Sequence, residues 1–116
     1  AWAPQAPVLM VSIARLDFAH NGRPNRHAAY DTGAAMAQMA IQAAALGLQI
    51  HQMGGFDLDK ARETLGIPEG HEPRAAIALG HPGAASALPE ELAQRETAPR
   101  QRRPVAEWVH YGAWTG

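Results

Sequence analysis

Cysteine is absent from this 116-residue sequence. Its absence removes disulfide bonds, thiolate metal ligands and cysteine nucleophiles together, and it accords with a reducing compartment, so a cytoplasmic protein is expected. A surplus of either charge is missing too: ten Lys and Arg stand against eleven Asp and Glu, for a net charge of −1. Such a balance gives no electrostatic case for nucleic acid or an acidic membrane surface as a partner. Long apolar runs are also lacking. The longest uncharged stretch, from Thr32 to Ile50, is diluted by three glutamines, two glycines and many short alanines. That composition makes a poor membrane span. The first residues carry no initiator Met, no basic region and no apolar signal core, so they read neither as a natural start nor as a signal peptide, and upstream residues are expected to have been removed.

What is present is the composition of a globular chain, 47% hydrophobic and 18% charged. A single domain of this size buries only roughly two thirds of its unfolded surface. Val8 to Ala14, apolar and rich in β-branched residues behind Pro7, predicts a strand buried on both faces. Leu16 to Arg26 holds His20, Asn21-Gly22 and Pro24 without periodicity, and reads as an exposed loop. Asp31 is a good N-cap for a long helix that runs to Leu46, with Gly47 as the residue that ends it. Leu48 to Met53 is an extended passage. Asp57 caps a short helix that Gly66 stops ahead of Pro68. Arg74 to Gly80 predicts a second apolar strand, broken by His81-Pro82-Gly83 and paired with the Val8 strand. Leu88 to Arg95 offers a short helix started by Pro89.

The long helix carries a pattern that a lone small domain does not explain. Gln38, Gln42 and Gln49 fall on one narrow stripe at about 100° per residue, and the remaining surface is apolar nearly all round. Burial against more protein than this chain supplies is implied, either an N-terminal half or another subunit. Trp108, Tyr111 and Trp114 make the same point in the tail, since large aromatics are costly to leave in water.

Two segments carry candidate chemistry. In Gln52-Met53-Gly54-Gly55-Phe56-Asp57 the glycine pair gives a backbone that a flat ligand can approach closely, or else a simple turn into the following helix. In Arg100-Gln101-Arg102-Arg103-Pro104 the guanidinium groups suit a phosphate, and alternate positions on an extended segment aim Arg100 and Arg102 the same way. The competing reading is a solvated charge run balanced by Glu90, Glu91, Glu96 and Glu107. Six histidines show no metal-binding spacing, and no metal site is expected.

In their order and setting these segments resemble the nitroreductase family of FMN-dependent enzymes. Trp2 with Ala6-Pro7-Val8-Leu9, Tyr30-Asp31-Thr32-Gly33-Ala34-Ala35, Ala43-Ala44-Ala45-Leu46-Gly47-Leu48, Gly55-Phe56-Asp57, Ile67-Pro68-Glu69, Ala76-Ile77-Ala78-Leu79-Gly80 and Arg100 to Pro104 follow family order. The resemblance implies an α+β fold of three-layer α/β/α type lacking its N-terminal half, with a long interface helix and a mixed or antiparallel central sheet. Residues 1–116 would be the C-terminal portion of one such domain, with 96–116 a tail that docks on a partner subunit. It further implies a homodimer with FMN at the interface, Gln52, Met53, Gly54 and Gly55 beside the flavin ring edge, and Arg100 with Arg102 on its phosphate. Gly54 stands where some members carry an acidic residue, so only backbone roles carry over there. The implied activity is reduction of FMN by NAD(P)H, followed by reduction of a small-molecule acceptor such as a nitroaromatic or quinone in a ping-pong cycle. No catalytic side chain is implied. The alternative is a truncated, non-catalytic flavin-binding or dimerisation module, because a basic motif expected near the family N-terminus and a later Asn are not found. The sequence selects neither the physiological acceptor nor NADH over NADPH.

Overall fold

The computed structural model describes residues 2–114, which separate into two compact units on either side of the Pro82–Gly83 boundary. In the first, strand β1 (Val8–Arg15) leads into helix α1 (Ala28–Ala45), strand β2 (Gln49–Met53), helix α2 (Leu58–Leu65) and strand β3 (His71–Gly80). β3 lies in the middle, antiparallel to both neighbours, in the order β1-β3-β2. The sheet is therefore antiparallel in its pairings rather than mixed. β1 and β2 run parallel to each other with α1 as the crossover between them, which is why α1 packs across both.

Cap chemistry sets the helix ends. The Asp57 carboxylate accepts from the Lys60 N–H at 2.9 Å, as its place before an apolar-periodic run predicts. Gly47 and Gly66 take φ of +72° and +61°, a conformation that opposes any side chain. They let Leu48 N–H reach the Ala43 carbonyl at 2.9 Å and Ile67 N–H reach the Arg62 carbonyl at 2.9 Å. Replacing Asp57 by Ala is expected to cost about 1 kcal/mol of stability, and replacement by Asn far less. Urea unfolding of the two variants side by side checks this.

Two expectations are corrected. The long helix starts one turn before Asp31, because Asn25 receives the His27 N–H on its side chain at 3.1 Å and the Ala28 N–H on its carbonyl at 3.1 Å. Asp31 instead lies in the first helical turn, where a carboxylate still complements the helix dipole. The helix also ends at Ala45, so Gln49 belongs to β2 and leaves the helical stripe. The second correction concerns β1, which is buried on one face only. Ser12 and Ala14 are 7% and 1% exposed, whereas Leu9 and Ile13, which alternate onto the other face, are 52% and 41% exposed. As an edge strand of three, β1 has α1 over one face, and α2, only eight residues long, packs mainly on β3.

The core is small, and Ile77 on the central strand is its one large, fully enclosed side chain among the described residues. Where the β1–β3 register slips between Ser12 and Ile13, the Ser12 hydroxyl donates to the Ala75 carbonyl at 3.4 Å and accepts its N–H at 3.1 Å. A buried hydroxyl thus fills the gap in the ladder. Arg62 closes the other end of the unit. Its guanidinium donates to the carbonyls of Ile67, Pro68 and His71 at 3.2, 3.1 and 2.8 Å, tying α2 to the turn that enters β3.

The second unit contains helix α3 (Glu90–Thr97), with Pro89 at its N-cap, and short 3-10 turns at Ala85–Ala87 and, after an irregular segment, at Val105–Glu107. Trp108, Tyr111 and Trp114 are 55%, 91% and 78% exposed, and the rings of His110 and Trp114 lie 4.3 Å apart. Among the described residues no helix is long and apolar enough to cross a membrane.

Candidate functional site

The candidate ring-edge segment leaves the sheet at the end of β2. Gln52 and Met53 are strand residues opposite Ile77 and Ala76, so their side chains take opposite faces. Met53 turns into an apolar groove of about 380 Å³, lined also by Leu9, Val11, Gly55, Phe56, Leu65 and Ala76. Gln52 is exposed on the face that α1 occupies. The segment therefore divides: Met53 and Gly55 share the groove, and Gln52 does not.

Gly54 and Gly55 are informative because the backbone does not demand them. Neither has a positive φ, and a Cβ built on either one would meet no atom within 4 Å. The Phe56 N–H bonds back to the Gly54 carbonyl at 3.1 Å. No acceptor within the described residues takes the N–H of Gly54 or Gly55. Two adjacent peptide units are thus bare of side chains and approachable, the condition a planar ligand requires of a backbone donor. His51 sits on the same face as Met53 and meets the Trp2 ring edge-on, with centroids 4.8 Å apart and planes at 76°.

Arg100 and Arg102 belong to the second unit, in the irregular segment between α3 and the 3-10 turn, and both are exposed. Arg102 donates from Nη1 to the neighbouring Gln101 carbonyl at 3.1 Å. Among the described residues the one ion pair is Arg74 with Glu72, at 3.0 Å. Within the described residues no tail carboxylate forms a salt bridge with Arg100, Arg102 or Arg103. No group of three or more His, Asp or Glu able to hold a metal occurs among the described residues.

Sequence reasoning overlooked the groove walls contributed by Leu9, Val11, Leu65 and Ala76. The signal was available as alternation of large apolar residues at Leu9, Val11 and Ile13, but a run that is apolar throughout hides which face stays open.

The residues fit an FMN by the chemistry of their donors: bare backbone N–H groups for a ring edge and unpaired guanidiniums for a phosphate. The profile of the Nitroreductase family matches residues 1–81. An uncharacterised 15.4 kDa protein of Mycolicibacterium smegmatis, from the ask 5′ region, is 37% identical over 98% of this chain and 76% of its own length. A solved structure described as an oxidoreductase containing FMN shares 39% identity and a TM-score of 0.91, over 99% of this chain and 59% of that one. A nitroreductase family protein from Clostridium difficile 630, at 24% identity, shares the fold with a TM-score of 0.68 over 98% of this chain and 64% of its own. The chain thus spans less than two thirds of those two structures. By the extent of the profile match and its identity to the mycobacterial protein, the chain belongs to the nitroreductase family.

Proposed function

We propose that this chain is part of an FMN-dependent NAD(P)H oxidoreductase of the nitroreductase type. The observation that carries the reading is the pair of bare, approachable peptide units at Gly54 and Gly55, in a chain 39% identical to an oxidoreductase containing FMN. A bound flavin would supply the redox chemistry, taking a hydride from NAD(P)H and passing electrons to a nitroaromatic, quinone or similar acceptor in a ping-pong cycle.

The chain's own residues bind and orient. The N–H groups of Gly54 and Gly55 would donate to the flavin ring edge, fixing which face accepts the hydride, and Met53 would back the ring with a polarisable thioether. Gln52 contributes through its backbone, since its side chain lies on the other face. Arg100 and Arg102 would hold the phosphate by charge-assisted hydrogen bonds. A homodimer with the flavin at its interface completes the reading, with the tail from residue 96 docked on the partner subunit and cytoplasm as its setting. Exposed apolar residues on α1, with Ile41 at 73% and Tyr30 at 77%, favour such an interface.

A second reading has its own support. The chain spans 59% of the FMN-containing oxidoreductase, so by itself it could serve as a non-catalytic flavin-binding or dimerisation module. Bleaching of flavin colour by NAD(P)H separates the two: a coloured preparation that bleaches supports the enzyme, and flavin that binds but stays oxidised supports the module.

Gly55→Val tests the ring-edge contact. The fold tolerates the new side chain, because φ is not positive and the space is open. Flavin affinity should fall about ten-fold, the worth of one hydrogen bond, as read by fluorescence titration. An unchanged affinity would remove Gly55 from the site.

A further inference from the structure

The loop between β1 and α1 closes on itself before it reaches the helix. The Phe18 N–H donates to the Arg23 carbonyl at 2.8 Å, and Asp17 and Pro24 face each other as an antiparallel bridge. Inside this closure the Phe18 carbonyl accepts the N–H groups of Asn21 and Gly22 at 3.3 and 2.8 Å. His20, Asn21 and Gly22 are exposed at the tip. Gly22 takes φ of +67°, and a Cβ built there would meet no atom within 4 Å. The Asn21 side-chain amide is held at both of its ends. Its Oδ1 accepts the Arg23 N–H at 2.9 Å, and its Nδ2 lies 2.9 Å from Nε2 of His20. The Phe18 ring, with its centroid 5.5 Å from that of the imidazole, flanks His20.

We infer that Asn21 is a self-modification site, at which the backbone nitrogen of Gly22 displaces the side-chain amide. The Gly22 nitrogen gives up its proton and bonds to Cγ of Asn21, the Cγ–Nδ2 bond breaks, and the departing nitrogen takes the proton and leaves as ammonia. A cyclic succinimide remains, and water opens it at either carbonyl to leave aspartate or isoaspartate. Each group around Asn21 serves this reaction. The Arg23 N–H sits on the oxygen that gains negative charge as Cγ becomes tetrahedral, the role of a donor in an oxyanion hole. His20 stands at the bond that breaks and relays the proton to the leaving nitrogen. Glycine leaves the attacking nitrogen unshielded. The hydrogen bond from that nitrogen to the Phe18 carbonyl is the contact that must open first. The product puts a new negative charge into the loop that carries Arg23 and Arg26, and isoaspartate also lengthens the backbone within the turn. No flavin takes part.

Asn25 is a built-in comparison, since the sequence has no third asparagine. Its Oδ1 accepts the His27 N–H at 3.1 Å in the same manner, but the residue that follows it is Arg26 and not glycine. The full chain is incubated at neutral pH and physiological temperature in water labelled with heavy oxygen, and peptide mass spectrometry follows both asparagines. Asn21 is expected to convert to aspartate and isoaspartate carrying the label, while Asn25 stays intact. His20→Gln keeps an exposed polar side chain but relays no proton, and should slow conversion in the folded chain by about a hundred-fold, the lower end of what a positioned proton-transfer group contributes. In urea, where the turn is lost, the same substitution should leave the rate unchanged. Asn21 that stays intact, or converts no faster than Asn25, overturns the inference. So does a folded-chain rate that is indifferent to His20→Gln.

Discussion

Replacing Arg100 and Arg102 together by alanine is expected, on the proposed phosphate contact, to lower FMN affinity by roughly a hundred-fold or more. Each guanidinium–phosphate hydrogen bond is of the charge-assisted kind, worth about 1.5–3 kcal/mol, and the pair therefore removes about 3 kcal/mol at the least. Both side chains are exposed and neither is in an ion pair within the described residues, so their loss leaves no buried partner unsatisfied and no internal salt bridge broken. Stability should change by less than about 0.5 kcal/mol, as for other surface substitutions. That contrast matters, because a drop in flavin binding accompanied by unfolding would say nothing about phosphate recognition. Lysine at both positions should restore only part of the affinity, since an ammonium keeps the charge but loses the planar fork. Equilibrium dialysis of the single and double variants decides it, and unchanged binding would return the cluster to a solvated charge run.

Ile41→Asp is expected to separate the proposed homodimer. On α1 the residues packed toward the sheet follow Ala28, Thr32, Met36, Met39 and Ala43, while Tyr30, Ala37 and Ile41 lie on the opposite side. Ile41 is 73% exposed in the chain, so it contributes almost nothing to its own core. In a two-fold interface the substitution enters twice, and like charges brought together there cost several kcal/mol. The dimer dissociation constant should therefore rise by more than about a hundred-fold, the equivalent of 2.8 kcal/mol. Sedimentation velocity reads the association, and far-ultraviolet circular dichroism should show the helix retained. A dimer indifferent to Ile41→Asp would place the interface elsewhere.

The parts of the fold legible from sequence are those governed by local chemistry. Asp57 before its helix, and Gly47 and Gly66 after theirs, announce caps that depend only on a few neighbouring residues. The pairing of β1 with β3 was legible as well, because each is a bounded apolar run. Helix α1 was misjudged at its start, where Asn25, outside the periodic stretch, accepts the His27 and Ala28 N–H groups. The one-sided burial of β1 was not legible, because a strand of continuous apolar residues gives no sign of which face lacks a cover. Of the site, the Gly54-Gly55 and Arg100-Arg102 segments were visible through residue type and order. The bare peptide units, the groove under Met53 and the Trp2–His51 contact depend on long-range register, which no local pattern encodes.

The proposed function assigns the flavin ring to backbone at Gly54-Gly55 and the flavin phosphate to guanidiniums at Arg100 and Arg102. FMN and riboflavin differ only by the phosphate, so the ratio of their affinities for the unmodified protein in equilibrium dialysis isolates the arginine half while the shared ring reports the glycine half. The account predicts that both bind and that FMN binds about a hundred-fold tighter or more. Equal affinities, or no binding of either flavin, would contradict it.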